Sequence, residues 1–174
     1  KNLAESINLG IQNAIYENVI WMDADFQHNP EAINTFINYS EKYDFIICSR
    51  FVKGSTRYFD KKDNKSFNEP QSIFFNKICK TFLFKDLTDF TSGFACIKKN
   101  IFRDYQLKGY YGEYFLNLIS HCKNKNTKII EVPFDEKERA SGVSKTGGLN
   151  IRYIIITLNY FLCFLKILLN KYLR

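Results

Sequence analysis

One stretch constrains this chain more than any other: Asn18-Val19-Ile20-Trp21-Met22-Asp23-Ala24-Asp25-Phe26-Gln27-His28-Asn29-Pro30, where an apolar strand runs straight into two carboxylates. Val19, Ile20, Trp21 and Met22 form an unbroken apolar run, the pattern of a strand covered on both faces in an α/β sheet. Side chains alternate along an extended chain, so Asp23, Asp25 and Gln27 share a parity and can converge on one side. Asn29 suits an N-cap and Pro30 the first helical position, which predicts a helix over 30–42. Two carboxylates and an amide oxygen at the end of a buried strand make a hard-oxygen set. Such a set suits Mg²⁺ or Mn²⁺, which keep waters and share phosphate oxygens. Open α/β sheets bind ligands at this carboxyl edge. Asp-x-Asp by itself is also a common solvated strand-end turn; the buried strand ahead of it shifts the balance toward a metal site.

With 174 residues, 45% of them hydrophobic, the chain can bury one sizeable core and reads as one domain. Residues 3–14 have the pattern of a helix, with Ile7, Ile11, Ala14 and Ile15 on one face. A crossover helix with no strand ahead of it gives the expectation that an N-terminal part is missing, and the opening residues carry no signal-peptide pattern. The five cysteines are odd in number and scattered, which argues against a disulfide framework or a zinc site and for a reducing compartment. His28 and His121 have no partner at ligand spacing and are expected as surface or helix residues rather than metal ligands or bases. The net charge is +7, and from residue 139 onward the only charges are Arg139, Lys145, Arg152, Lys166, Lys171 and Arg174. A basic chain raises nucleic acid as a partner. Here the charge sits beside the most apolar segment, which favours an anionic lipid surface instead.

After the predicted 30–42 helix, with Ile33, Phe36 and Ile37 inward, Phe45-Ile46-Ile47-Cys48 gives a second buried-strand signal that ends in Ser49-Arg50-Phe51-Val52-Lys53-Gly54. Strand, helix and strand with short links imply a parallel unit, placing Arg50 on the same edge as the Asp-x-Asp. Residues 55–69 are charged and poor in aliphatics, and read as an exposed loop. A helix follows over 70–84 with Ile73, Phe74, Ile78 and Phe82, then a polar turn over 86–94 and a strand at Ala95-Cys96-Ile97. Residues 111–121 read as helical. Residues 128–134 read as a strand whose Pro133 suggests an edge. The tail, 150–174, is one long apolar helix in which Arg152, Asn159, Lys166 and Asn170 recur at seven- and four-residue steps along a narrow stripe. Such a helix lies in a membrane interface or packs against another apolar helix; a core helix of the same domain, or a transmembrane span with Arg152 and Lys166 reaching the interface, are the alternatives.

Together these motifs resemble family-2 glycosyltransferases of the GT-A fold, of the polyprenol-phosphate sugar synthase type represented by dolichol-phosphate mannose synthase. The resemblance rests on Asp23-Ala24-Asp25-Phe26-Gln27-His28-x-Pro30, Ser49-Arg50-Phe51-Val52-Lys53-Gly54, Asp89-Phe90-Thr91-Ser92-Gly93-Phe94 and Arg139-x-x-Gly142-x-Ser144-Lys145. It implies a partial, Rossmann-like nucleotide-sugar transferase fold over 1–148 and a membrane-interface helix over 149–174. It also implies a reaction: a hexose, mannose from GDP-mannose first of all, passes with inversion to a polyprenol phosphate on the cytoplasmic face of a membrane. That membrane would be the endoplasmic reticulum in a eukaryote or the plasma membrane in a prokaryote. In this resemblance Asp25 and Gln27 hold the divalent cation with Asp23 on the metal's water or the nucleotide, Arg50 and Arg139 grip the acceptor phosphate, and Lys145 assists as a point charge. Asp89 and Ser92 flank the reacting centre, and Ser72 matches a substrate-binding helix serine. The chain departs from the family at Ala95, Asn68 and Asn117. Without its opening strands the fragment alone is expected to be inactive.

Alternatives remain open at this point. Glucose from UDP-glucose and a glycan acceptor are other transferase readings. A truncated, non-catalytic module that binds a membrane or a membrane subunit belongs to another class.

Overall fold

The computed structural model describes residues 2–25, 27–55, 70–135 and 151–173. Its elements follow the sequence pattern: α1 (Leu3–Asn13), β1 (Asn18–Trp21), α2 (Ala32–Ser40), β2 (Phe45–Ser49), α3 (Pro70–Phe82), β3 (Ala95–Lys98), α4 (Glu113–Asn124), β4 (Ile129–Pro133) and α5 (Ile151–Tyr172). A 3₁₀ turn, Lys99–Arg103, follows β3. The start of α1 is fixed by a capping box, in which Asn2 accepts from the Glu5 amide at 2.9 Å and Glu5 reaches back to the Asn2 amide. Asn29 accepts the Glu31 amide at 3.1 Å, so it caps a turn at Pro30 and Glu31, and the regular helix begins two residues later than Pro30.

The strands form one sheet in the order β1-β3-β2-β4. β1 and β2 run the same way, as the strand–helix–strand reading implies, but they are not neighbours. β3 lies between them, antiparallel to both, while β4 is parallel to β2. β4 is an outer strand, where Pro133 needs no ladder partner for its missing N–H. The ends of β1, β2 and β4 and the start of β3 therefore share one edge.

β2 is buried at every position, and its side chains divide by parity. Phe45 and Ile47 enter a core with α1, α3, α4 and α5; Ile46 and Cys48 enter another with Phe36 of α2 and Phe94. α2 is anchored chiefly by Phe36, which meets the edge of Phe94 at 5.2 Å between centroids. Burying that ring contributes about 2–3 kcal/mol. Ile33 and Ile37 are exposed rather than inward, because the short α2 turns Phe36, with Ala32 partly buried beside it, to the sheet. On α3, likewise, Phe74 and Phe82 face outward while Asn76 and Cys79 are buried.

One face of α5, with Cys163, Phe164 and Ile167, joins the larger core, and Phe75 of α3 packs edge-on to Tyr160 and Phe164. Lys171 donates to the carbonyls of Phe82 and Leu83 at the end of α3, where the helix dipole favours a cation. Ile154, Leu158, Phe161, Leu162 and Leu169 remain exposed. Ile154–Tyr172 is long and apolar enough, by length and composition, to cross a membrane.

Candidate active site

The shared edge is organised by the segment between α3 and β3. Asp89 is fully buried there and binds Arg50 with both oxygens, at 2.9 Å to Nε and 2.9 Å to Nη2, and it also accepts the Arg50 amide at 3.0 Å. Arg50 Nη2 donates again to Thr91 Oγ1 at 2.7 Å. A bidentate Arg–carboxylate pair fixes the plane of the guanidinium as well as its position. Burial pushes the Asp89 carboxyl up, but the Arg50 charge and the hydrogen bonds from Arg50 and Thr91 outweigh it, and the carboxyl is held below its usual range. Asp89 is a bound carboxylate and not a poised base.

Around this pair lies a second layer. Asn76 of α3 accepts the Phe90 amide at 2.6 Å and donates to Thr91 Oγ1 at 2.9 Å, and Ser72 Oγ lies 3.4 Å from the same hydroxyl. Glu131 of β4 accepts from the Thr88 amide at 2.8 Å, the Thr88 hydroxyl at 2.9 Å and the Asp89 amide at 2.7 Å. Burial pushes the Glu131 carboxyl up to about 7, with the neighbouring Asp89 charge adding to the rise and the bonds from Asp89 and Thr88 opposing it. Neither Asn76 nor Glu131 stands out in the sequence as a site residue. The only signal for Glu131 is an acid inside the apolar run Ile129-Ile130-Glu131-Val132.

The same segment reaches the Asp-x-Asp loop. Ser92 Oγ donates to the Cys48 carbonyl at 2.5 Å and accepts the Phe94 amide at 3.2 Å. Gly93, at φ +68°, occupies the left-handed region that lets the chain turn into β3. Phe94 then stacks on His28, with centroids 4.5 Å apart and planes 10° apart, and Phe134 meets His28 edge-on. His28 is thus a buried residue, not a surface one, because two aromatic rings enclose it. Its Nδ1 accepts the Asp23 amide at 2.9 Å.

Asp23 is exposed and Asp25 half-buried. Strand alternation does not continue through the loop. Asp25 Oδ1 accepts the Gln27 amide at 3.1 Å, a side-chain turn that folds the loop back on itself. Asp23 also acts on Tyr114, whose hydroxyl accepts from Trp21 Nε1 at 3.1 Å. Burial raises that hydroxyl above its ordinary range, the Trp21 bond opposes the rise and the Asp23 charge adds to it. Among the described residues no three His, Cys, Asp or Glu side chains cluster as a metal site. The loop thus carries the Asp23 and Asp25 carboxylates and the Gln27 amide, the residue types that suit a hard cation, without the convergence on one side that strand alternation implied.

The structure thus brings Arg50, Asp89, Ser72 and Ser92 together at one edge with the loop that carries Asp23, Asp25 and Gln27. Arg139 and Lys145 lie outside the described residues.

Residues 1–106 match the family model for glycosyl transferase family 2. Over 156 residues the chain is 30% identical to a dolichol-phosphate mannosyltransferase of Pyrococcus furiosus, covering 87% of this chain and 42% of that protein. It is 28% identical over 148 residues to a polyprenol monophosphomannose synthase of Mycolicibacterium smegmatis, covering 79% and 52% of the two chains. It is 27% identical over 138 residues to an undecaprenyl-phosphate mannosyltransferase of Micrococcus luteus, covering 76% and 54%. The chain spans about half the length of the curated relatives it matches.

Proposed function

The chain belongs to glycosyl transferase family 2, and on that premise we propose that the protein transfers a hexose, mannose from GDP-mannose, to the phosphate of a polyprenol with inversion at the anomeric carbon. The observation that carries this reading is the buried Arg50–Asp89 pair on the same edge as the Asp23–Asp25 loop. The names of the three relatives, each a polyprenol-linked mannose transferase or synthase, support the acceptor and the sugar.

In this reading an oxygen of the acceptor phosphate forms the new bond to the anomeric carbon as the bond to the nucleoside diphosphate breaks. The attacking oxygen is already anionic, so the site needs no strong base, and Asp89 is free to hold Arg50. What the step requires is cationic positioning, because acceptor and donor repel each other. Arg50, its Nε and Nη2 edge held in a fixed plane by Asp89 and Thr91, would supply positive charge beside the phosphate, with Arg139 and Lys145 as further cations; the fork of Arg139 would suit two phosphate oxygens. Ser72 and Ser92 would line the acceptor side. Asp25 and Gln27 would hold Mg²⁺ or Mn²⁺, with Asp23 on its water or the nucleotide. Bound there, the cation supplies Lewis-acid neutralisation of the leaving diphosphate. The exposed apolar face of α5, whose charges are all basic, would lie in a membrane interface beside the acceptor's hydrocarbon chain.

The test is transfer by the full-length source protein, with radiolabelled nucleotide sugars as donors and polyprenyl phosphate as acceptor. Mannose transfer that requires Mg²⁺ or Mn²⁺ and is lost in Asp25→Asn is the expected result. Transfer that survives Asp25→Asn would remove the metal assignment. Transfer to a glycan but not to polyprenyl phosphate would overturn the acceptor.

A further inference from the structure

We infer that Glu131 is a positioning residue: its carboxylate fixes the backbone of Thr88 and Asp89, and through Asp89 it sets the orientation of the Arg50 guanidinium. The inference rests on the proposed role of Arg50 as a holder of the acceptor phosphate.

Glu131 sits in mid-strand among Ile129, Ile130 and Val132, a place where an acid is costly unless its oxygens are satisfied. They are satisfied by the Thr88 amide and hydroxyl on Oε2 and by the Asp89 amide on Oε1. Among the described residues no Lys or Arg forms a salt bridge with it. Among the described residues, Glu131 thus adds a second carboxylate beside Asp89, near one guanidinium, and its hydrogen bonds go to the segment that carries Asp89. A charge placed this way contributes little to packing, and an apolar residue would fill the strand at lower cost.

Its geometric effect is specific. The amide of Asp89 is pinned from β4 while both Asp89 oxygens grip Arg50 at the end of β2. From the other side, Asn76 of α3 pins the Phe90 amide and the Thr91 hydroxyl. Residues 88–91 are therefore held from β4 and from α3, and with them the Asp89 and Thr91 side chains that bind the guanidinium. Preorganisation of this kind is how a site avoids reorienting a donor group during reaction.

Two readouts on the full chain separate positioning from plain structural support. One is the ¹⁵N–¹H resonance of Arg50 Nε, slowed in exchange with water by its bond to Asp89. The other is the affinity of the folded fraction for a ten-carbon isoprenyl phosphate, taken from calorimetry, where lost folding lowers the stoichiometry and lost positioning raises Kd. Glu131→Gln places an amide NH₂ against one of the two amide donors. We expect it to keep the core methyl spectrum, speed exchange of the Arg50 Nε proton, and weaken phosphate binding about tenfold, the worth of one charge-assisted bond. Thr88→Val, which removes one donor to Glu131, should move both readouts the same way by a smaller factor, and it serves if Glu131→Gln does not fold. An unchanged Arg50 resonance together with an unchanged Kd in either folded variant overturns the inference. If the wild type binds no isoprenyl phosphate and Arg50→Lys behaves identically, the acceptor reading falls, and the Arg50 resonance alone then decides the positioning role.

Discussion

The two halves of the proposed site are built in opposite ways. Around Arg50 the described polar groups are tied across elements: β2 leads into the cation, the segment before β3 supplies its carboxylate, α3 one clamp and β4 the other. The Asp23–Asp25 loop carries local hydrogen bonds, the Asp25 turn and the His28 acceptor of the Asp23 amide, and is docked through the His28 ring between Phe94 and Phe134. Under the proposed reaction the difference would have a use: the protein would fix the cation that faces the acceptor phosphate, while a diphosphate donor would share its oxygens with a metal ion and so help complete its half of the site.

Breaking the comparison should therefore cost very different amounts on the two sides. Asp89→Ala leaves a buried guanidinium without its carboxylate and should destabilise the fold by about 3–5 kcal/mol. Urea unfolding would show this as a lower midpoint at unchanged slope. His28→Ala removes a ring from between Phe94 and Phe134 and the acceptor of the Asp23 amide, which should cost about 1–3 kcal/mol by the same measurement. Asp25→Asn keeps the loop turn, and its stability should stay within about 0.5 kcal/mol of wild type while Mn²⁺ binding, followed by electron paramagnetic resonance, is lost. If Asp25→Asn proved as damaging as Asp89→Ala, the contrast between the two halves would not hold.

The braced half should also have its own pH signature. The Glu131 carboxyl titrates near 7 in the folded protein against 4.5 ordinarily, so the folded state binds the proton more tightly than the unfolded one. Its contribution is fully present below about 4.5 and is lost as pH rises through about 7. Asp89, held below its usual range, acts the other way, and its contribution is lost as the solution becomes more acidic than the ordinary carboxylate range. Unfolding free energies measured between pH 5 and 8 should therefore fall with rising pH by more in wild type than in Glu131→Gln. Equal slopes would show that Glu131 is not the titrating group.

How much of this was legible in the sequence follows from the range of the interactions involved. The apolar runs of β1 and β2 and the helix between them depend on local pattern, and they stand within two residues of where the pattern puts them. The insertion of β3 between β1 and β2 was not legible, since Ala95-Cys96-Ile97 specifies a strand but no partner. The site residues on Asp-x-Asp and Ser-Arg carry their own signal at strand ends. Glu131 does not: its partners lie more than forty residues away, and an isolated acid in a strand ordinarily faces solvent. His28 misled for the same reason, because the rings that bury it come from Phe94 and Phe134. The outward positions of Ile37 and Phe74 show that helical spacing identifies a face but not how much of it the core will cover.

The central claim is that the cation loop and the acceptor phosphate share one edge, and paramagnetic broadening tests it most directly. Mn²⁺ titrated into the full-length protein holding a polyprenyl phosphate should broaden the ³¹P signal of the bound acceptor, and Asp25→Asn should leave that signal sharp. A ³¹P signal that stays sharp while Mn²⁺ is bound, or that broadens equally in Asp25→Asn, would contradict the account.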